Sequence, residues 1–324
     1  MPAKSLQIIG FAPETSYGTF VPPTKFVPGA TVVQSNTKIV RPEQSRGIRA
    51  YPIDGVVGLE SAIQITAELI PEVISQLVAG WYGTGSDTVS GSAGTGFTHT
   101  LAPKGALPSY AFEVDNDVVT QILARQLVGT LMDQMTLRAN AQQLVTLEFM
   151  GMAQREITPA TPGLPSNPNP AVTTLQPMDF SLLAATYKGA ANTQLIDATL
   201  TASNQIQRVF SANGQIYVAR LQPSRRNITF STTLDFLDAS FYQDWIKGTK
   251  TTGFVLTFTS AAMIPGTPNP YVVEFTLPGL RPMDQYGLQD ASDVLQQQIN
   301  WSVTVSGSDE IHGRIINSES SQLA

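Results

Sequence analysis

The chain has 324 residues and a net charge of −6, from 25 acidic and 19 basic side chains, with 25 glycines and 22 prolines but only 14% charged residues. That length holds two domains with cores of their own, the composition favours strands and turns over helical bundles, and the acidic balance argues against a nucleic-acid clamp. The absence of cysteine excludes disulfide staples and thiolate metal sites and suits a reducing cytoplasm, while no apolar run nears the ~20 residues of a membrane span and MPAKSLQIIGFAPETSYG lacks the core of a secretory signal.

Residues 1–28 read as an N-terminal arm, with Pro13, Pro22, Pro23 and Pro28 too frequent for a helix and the rest too polar for a core. A first domain over 29–155 begins with VVQSNTKIV, then the basic RPEQSRGIR carrying Arg41, Arg46 and Arg49. The return strand GLESAIQITAEL sets Leu59, Ile63, Ile65 and Leu69 against Glu60, Gln64, Thr66 and Glu68. Alternation of this kind marks a strand with one wet face. The short amphipathic LIPEVISQLVAG follows as a helix, with Pro71 suited to its first position and Gly80 to its end. The loop GTGSDTVSGSAGTG, at 83–96, reads as flexible and exposed, and HTLAPKGALPSYAFEV and LVTLEFMG read as further strands.

Five prolines between Pro159 and Pro170 make 156–178 an extended linker. In the second domain, 179–307, DATLTASNQIQRVF places Asp197, Thr199, Thr201, Ser203, Gln205 and Gln207 on one face and Ala198, Leu200, Ala202, Ile206 and Phe210 on the other. Asn213-Gly214 suits a tight hairpin turn, Arg225 and Arg226 follow in ARLQPSRRN, and NITFSTTLDF returns with Asn227, Thr229, Ser231, Thr233 and Asp235 on its polar face. The expected unit is a long antiparallel hairpin, followed by the helix LDASFYQDWIKG with Asp238 as N-cap and Gly248 as stop. Trp245 and Trp301 are expected in the core, and 308–324 as a surface tail.

The two helical segments are copies. Val73, Ile74, Leu77 and Val78 return 168 positions later as Phe241, Tyr242, Trp245 and Ile246. Ser35-Asn36 matches Ser203-Asn204 at the same offset, while the return strands fit 167, so a one-residue bulge separates the copies. INWSVTVSG parallels LVTLEFMG.

Catalytic furniture is missing from this pattern. His99 and His312 have no partner at metal-ligand spacing, and His99 aligns with Leu256 as a strand residue near the core. The glycine-rich loop lacks a phosphate-binding Gly-Lys-Ser/Thr. Asp115 and Asp117 read either as a carboxylate pair with weak calcium affinity or as a solvated turn. No cofactor or metal is indicated, and the chain is read as no enzyme. The arginine clusters read either as contacts to another subunit or as solvated charges.

From PETSYGTFVPP, through RGIRAYPIDGVVGLES and IPEVISQLVAG, to IDATLTASNQIQRVF and SRRNITFSTTLDFLDASFYQDW, the order of segments resembles the two-domain tail tube proteins of long-tailed bacteriophages over residues 10–307. The resemblance implies a mainly β fold of two tandem β-sandwich or partial-barrel domains, each with a long hairpin and one flanking helix. It implies a structural virion protein, assembled in the host bacterial cytoplasm, whose hairpins join edge to edge into stacked rings around a channel for DNA. Its partners would be other copies of itself, the tail tip, tape measure and tail terminator proteins, and phage DNA passing without specific binding. A trimer with pseudo-six-fold symmetry and a hexamer decorated by the second domain both fit. Under this reading the alternation sends Glu60, Gln64, Glu68, Thr201, Ser203, Gln205, Thr229, Ser231 and Asp235 to the lumen, and Arg41, Arg46, Arg49, Arg225 and Arg226 to subunit contacts. The alternatives are a β-sandwich adhesin or carbohydrate-binding surface protein, which calls for exposed aromatics beside carboxylates, and a hydrolase, which calls for a carboxylate pair across a cleft.

Overall fold

The computed structural model describes residues 7–28, 30–40, 56–118, 121–157, 177–211, 215–237, 239–248, 250–291, 294–304 and 310–323. The chain opens with β1 (Gln7–Pro13), β2 (Lys25–Phe26), β3 (Thr31–Val40) and β4 (Val56–Glu68), then helix α1 (Pro71–Tyr82). Next come β5 (Asp87–Ser92), β6 (Gly96–Leu101), β7 (Tyr110–Val118), β8 (Gln121–Asn140), β9 (Thr146–Ala153) and β10 (Arg155–Ile157). Most of the expected linker, with the whole of 158–176, lies outside the described residues. The chain resumes through β11 (Leu183–Tyr187), β12 (Ala190–Ala191), β13 (Leu195–Ser203), β14 (Gln207–Val209), β15 (Arg220–Gln222) and β16 (Asn227–Asp235) to α2 (Ser240–Lys247). It closes with β17 (Thr251–Met263), β18 (Pro270–Ala291), β19 (Val294–Val303) and β20 (His312–Asn317).

The architecture is mainly β, as expected, with open antiparallel sheets. One run of pairings crosses the whole molecule in the order β3, β4, β9, β8, β13, β16, β19, β18. Its first four strands come from the N-terminal half of the chain and its last four from the C-terminal half, in matching order. The halves meet at β8 and β13, where Asp197 to Ser203 pair with Asn140 to Gln134. The long strands β8 and β18 each change partners along their length. The first part of β8 pairs with β7 and β10, and the first part of β18 with β17 and β20. β20 in turn pairs with β6, so the C-terminal half reaches back to the N-terminal half a second time.

Period-two alternation builds the core. Ile63, Ile65 and Ala67 of β4, Leu147 and Phe149 of β9, Leu137 and Ala139 of β8, Leu200 of β13, Phe230 of β16 and Trp301 of β19 are all buried on one side of the sheet. They belong to one hydrophobic cluster that runs from Ile9 to Leu323 and includes α1. Each buried side chain of that size contributes roughly 1.5–3 kcal/mol relative to exposure, so the shared cluster reinforces the backbone pairing of β8 with β13 in holding the halves together.

α1 starts at Pro71, as its sequence signals, but does not stop at Gly80. It continues to Tyr82 and is capped by Gly83 at φ 118°, with the Gly83 N–H donating to the Ala79 carbonyl. Gly80 serves packing instead: a Cβ there would sit 2.4 Å from the Tyr110 hydroxyl and within 2.8 Å of its ring. That hydroxyl donates to the Gln76 carbonyl at 3.0 Å, so Tyr110 lies directly across the helix. In α2, Gly248 takes the expected left-handed cap at φ 59°, while Asp238 lies outside the described residues and Ala239 holds the N-cap position.

Three segments expected at the surface are ordered into the fold. Residues 7–13 of the expected arm form β1, whose Ile9 and Phe11 are buried and whose whole length pairs with β7. The apolar run IIGFA supplies this strand, and the prolines lie at or beyond its end. The glycine-rich loop contains β5 and leads into β6 as a hairpin, with Asp87 buried. In the expected tail, β20 pairs on both edges and Ile311, Ile315 and Leu323 are buried.

His99 clamps this C-terminal segment. Its ring is fully buried in β6, as its alignment with Leu256 suggests. Nδ1 donates to Asp87 Oδ2 at 2.7 Å, and Nε2 donates to the Asn317 Oδ1 and the Glu319 carbonyl at 3.0 Å each. The Leu323 N–H also donates to Asp87 Oδ2, at 2.9 Å. Asp87 and the Glu319 carbonyl are acceptors facing opposite ring nitrogens, so the geometry calls for the doubly protonated imidazolium. Burial alone would push the His99 pKa down, but the Asp87 hydrogen bond and charge, with the Glu319 and Asn317 oxygens, outweigh it and hold the value above the ordinary 6.5. The resulting stabilisation is full below the unfolded-state value and is lost as pH rises through the higher folded-state value. Thermal unfolding between about pH 6 and pH 9 should therefore show a midpoint that falls with rising pH, and His99→Gln should flatten that dependence.

Candidate functional site

The other side of the eight-strand sheet carries the candidate site, because alternation that buries one set of residues must present the other. Successive strands place polar residues in rows across it. One row runs Thr66, Glu148, Thr136, Thr201, Thr229 and Ser302, and the next runs Glu68, Thr146, Arg138, Thr199, Ser231 and Asn300. A third joins Asn140, Asp197, Thr233 and Gln298. These side chains are mostly half-buried by their neighbours. Thr199, Thr201, Thr229, Ser231 and Asn300, with Met283, line a shallow trough of about 380 Å³.

The charge on this face is acidic. Glu68, Glu148, Asp197 and Asp235 stand against Arg138, whose guanidinium lies 3.4 Å from Glu148, and Arg281, which faces Ser302 at the end of the first row. Glu148 also accepts from Gln64 Nε2 at 2.6 Å. Burial pushes the Asp197 carboxyl above its usual range, with Arg138 partly restoring it. Hydroxyls and amides dominate the rest, which gives many weak hydrogen-bonding groups and few fixed cations.

Of the residues assigned to a lumen from the sequence, Gln64, Glu68, Thr201, Ser203, Thr229, Ser231 and Asp235 share this face. Glu60 has the same parity but is engaged by Arg208 of β14 at 3.2 Å. Gln205 does not share it. β13 ends at Ser203, and Gln205 sits in the following turn at φ 48°. The cause is Asn204, which turns inward to donate to the Trp81 and Met132 carbonyls at 3.1 and 3.0 Å. β13 and β16 do pair as a hairpin, but the intervening chain forms the separate small ladder of β14 and β15, and the Asn213-Gly214 turn lies outside the described residues. Sequence reasoning missed the contribution of β8 and β9, although QMTLRAN and TLEFM alternate as clearly as β13 does.

Among the arginines, Arg41, Arg46 and Arg49 lie outside the described residues. Arg225 is exposed. Arg226 is used inside the chain: Nε donates to Asn204 Oδ1 at 3.0 Å, the guanidinium bonds the Tyr82 and Lys104 carbonyls, pairs with Glu310 at 3.4 Å, and lies 5.8 Å from the Trp81 ring. It fastens the C-terminal end of α1 to the second half. Asp115 is buried in β7 rather than placed in a solvated turn, and the described residues include no group of three His, Cys, Asp or Glu placed to hold a metal. Trp301 is core, but Trp245 is only partly buried, clustered with Tyr242 and Tyr286 at centroid distances of 5.0 to 6.3 Å.

A family model described as phage tail tube protein matches residues 5–303. The chain belongs to that family. No curated protein matches the sequence. Tail tube proteins are structural, assemble with themselves into the tail and are located in the virion tail, and this is the role of the present chain at that level. Among the described residues, no helix is long and apolar enough to cross a membrane. The energetics of the polar face should differ sharply from those of the core one residue away. Phe230→Ala should cost about 3–5 kcal/mol and Thr229→Ala within about 0.5 kcal/mol, read from urea unfolding of the purified chain.

Proposed function

We propose that the chain polymerises into stacked rings whose inner wall is the eight-strand sheet, with its polar, acidic face turned to a lumen that conducts DNA during ejection. The observation that carries this reading is the sheet itself: two matching four-strand sets, one predominantly polar face, and outer edges of β3 and β18 that pair with no further strand among the described residues. Open edges expose unpaired backbone groups, and closing into a barrel satisfies them.

Three copies would supply 24 strands. With strands about 4.8 Å apart and tilted by about 40°, such a barrel has a backbone diameter of roughly 45–50 Å, against roughly 30 Å for two copies. After side chains line both walls, the larger barrel passes a hydrated duplex and the smaller does not. Because both halves contribute equal sets to one sheet, a trimer with pseudo-six-fold symmetry is favoured over a hexamer decorated by the second half. Acidic groups on the wall repel phosphate, and the scarcity of fixed cations leaves DNA without strong holding points. The aligned chemistry of Thr201, Thr229 and Ser231 makes the wall slippery rather than selective.

Electron microscopy of end-on tubes tests the assembly, with three lobes or pseudo-six lobes around a hollow centre expected and persistent single particles contradicting it. The lumen assignment is tested by Thr201→Lys, Thr229→Lys and Ser231→Lys combined in assembled phage. Tubes should still form, while DNA release followed by dye fluorescence should slow severalfold and regain speed at higher salt. Unchanged release would remove these residues from the lumen.

A further inference from the structure

The two helices carry matching apolar faces but are covered unequally. Ile74 and Val78 of α1 are fully buried, whereas their counterparts Tyr242 and Ile246 of α2 are 38% and 59% exposed. Leu69 is fully buried, and Leu237, 168 positions later, is 69% exposed. Strand pairing extends the match. Ala67 faces Leu147, which faces Leu137, just as Leu234 faces Gln297, which faces Leu288. Leu137 is fully buried, while Leu288 is 53% exposed. α2 is anchored through Phe241, stacked on Tyr187 at 4.6 Å, through Asp244, which accepts from Tyr187 and Lys188, and through Trp245, whose Nε1 donates to the Met283 carbonyl at 2.9 Å and whose ring, with that of Tyr242, lies against Tyr286.

Besides β8 and Tyr110 of its own half, the first set takes cover from the second half of the chain. β18 and β20 lie against α1. The Met178 N–H donates to the Leu69 carbonyl at 3.0 Å and its carbonyl accepts from Val145. Leu137 sits opposite Leu200 of β13. Nothing among the described residues covers the second set in the same way, and the outer edge of β18 from Tyr286 onward carries no strand there.

The counterpart of β13 is β3, whose outer edge is also open. Ala198 faces Thr232 as Val32 faces Ile65, which makes Leu200 equivalent to Gln34 and Ala202 to Asn36, an offset of 166 in place of the 168 at which Ser35-Asn36 matches Ser203-Asn204 in sequence. The even-numbered residues of β13 turn their backbone toward β8: Asn204 N donates to the Asp133 carbonyl and Ala141 N to the Ile196 carbonyl. β3 has the same phase. The Gln7 side chain bonds both the N–H and the carbonyl of Val32, so Val32, and by alternation Gln34 and Asn36, point their backbone groups away from β4. Gln34 also has a buried side-chain nitrogen without a hydrogen-bond partner. Gln7 occupies one position of this edge as a strand would.

We propose that the exposed face of α2 and the open edge of β18 form a seat for the first half of a second copy of this chain. Leu288 lies opposite Gln34 and Tyr286 opposite Asn36 of that copy, repeating Leu137 opposite Leu200 and Met135 opposite Ala202 within the chain. Leu237, Tyr242 and Ile246 become buried as Leu69, Ile74 and Val78 are. The proposal rests on the tube reading and adds to it a register and a role for the second helix.

The chain has no cysteine, so paired substitutions read out this register without background. A hydrogen-bonded antiparallel pair separates Cα atoms by about 5.5 Å, within the range a disulfide spans. Tubes of the Leu288→Cys, Gln34→Cys variant, oxidised and run without reductant, should give covalent trimers, while Leu288→Cys with Val33→Cys, one residue out of phase, should stay monomeric. Tubes whose out-of-phase pair links instead would overturn the register and leave the tube reading standing; a wild-type chain that forms no tubes under any condition would overturn both. Ile246→Lys, at a site open in the free chain, should leave its melting temperature unchanged and lower tube yield at least about tenfold, the loss of a buried anchor. Unaltered yield, together with glycan retention that Trp245→Ala abolishes, would overturn the seat in favour of a carbohydrate platform.

Discussion

The structure depends on the backbone seam between β8 and β13. Seven facing residue pairs, from Asn140 with Asp197 to Gln134 with Ser203, turn two four-strand sets into one continuous sheet. Without that seam the halves would present two short sheets with four open edges, and the polar rows would break in the middle. The seam also fixes phase, since a shift of one residue would carry Leu137 and Leu200 to the wet face and Arg138 and Thr199 to the core. Side chains reinforce it at one end, where Asn204 bonds the Trp81 and Met132 carbonyls and Arg226 spans from Asn204 to Tyr82 and Lys104.

What joins the halves is therefore of the same kind as what would join copies. A duplicated unit that pairs with its own repeat carries at its free ends strands in the same order as at the internal joint. Leu237, Tyr242, Ile246 and Leu288 stay exposed toward the C-terminal end of the sheet, which is costly in a free chain. The edge of β3 is guarded in the interim by Gln7, which satisfies the backbone of Val32 with a side chain.

The elements legible in the sequence were those governed by local pattern. β4, β13 and β16 alternate cleanly, and the polar phase of Gln64, Thr201, Thr229 and Ser231 follows directly from it. Gln205 was misplaced because the alternation continues past the end of β13, and only the inward turn of Asn204 reveals where the strand stops. β1 was obscured by prolines near its end, although IIGFA is apolar enough for a core strand. β20 is short and carries His312 and Arg314, and its pairing with β6 and β18 spans more than two hundred residues of chain in one direction. Trp245 was read as core because α2 copies the apolar pattern of α1; pattern states which face seeks cover, but not whether the cover belongs to the same chain.

Hydrogen exchange of the backbone amides in the free chain and in assembled tubes tests the central claim most directly. The expected result is that β13 amides at Ala198, Leu200 and Ala202 exchange slowly in both states, while those of Gln34 and Asn36 in β3 exchange quickly in the free chain and become as slow as β13 in tubes. Fast exchange throughout β13 in the free chain, or β3 amides that remain fast in tubes, would contradict the account.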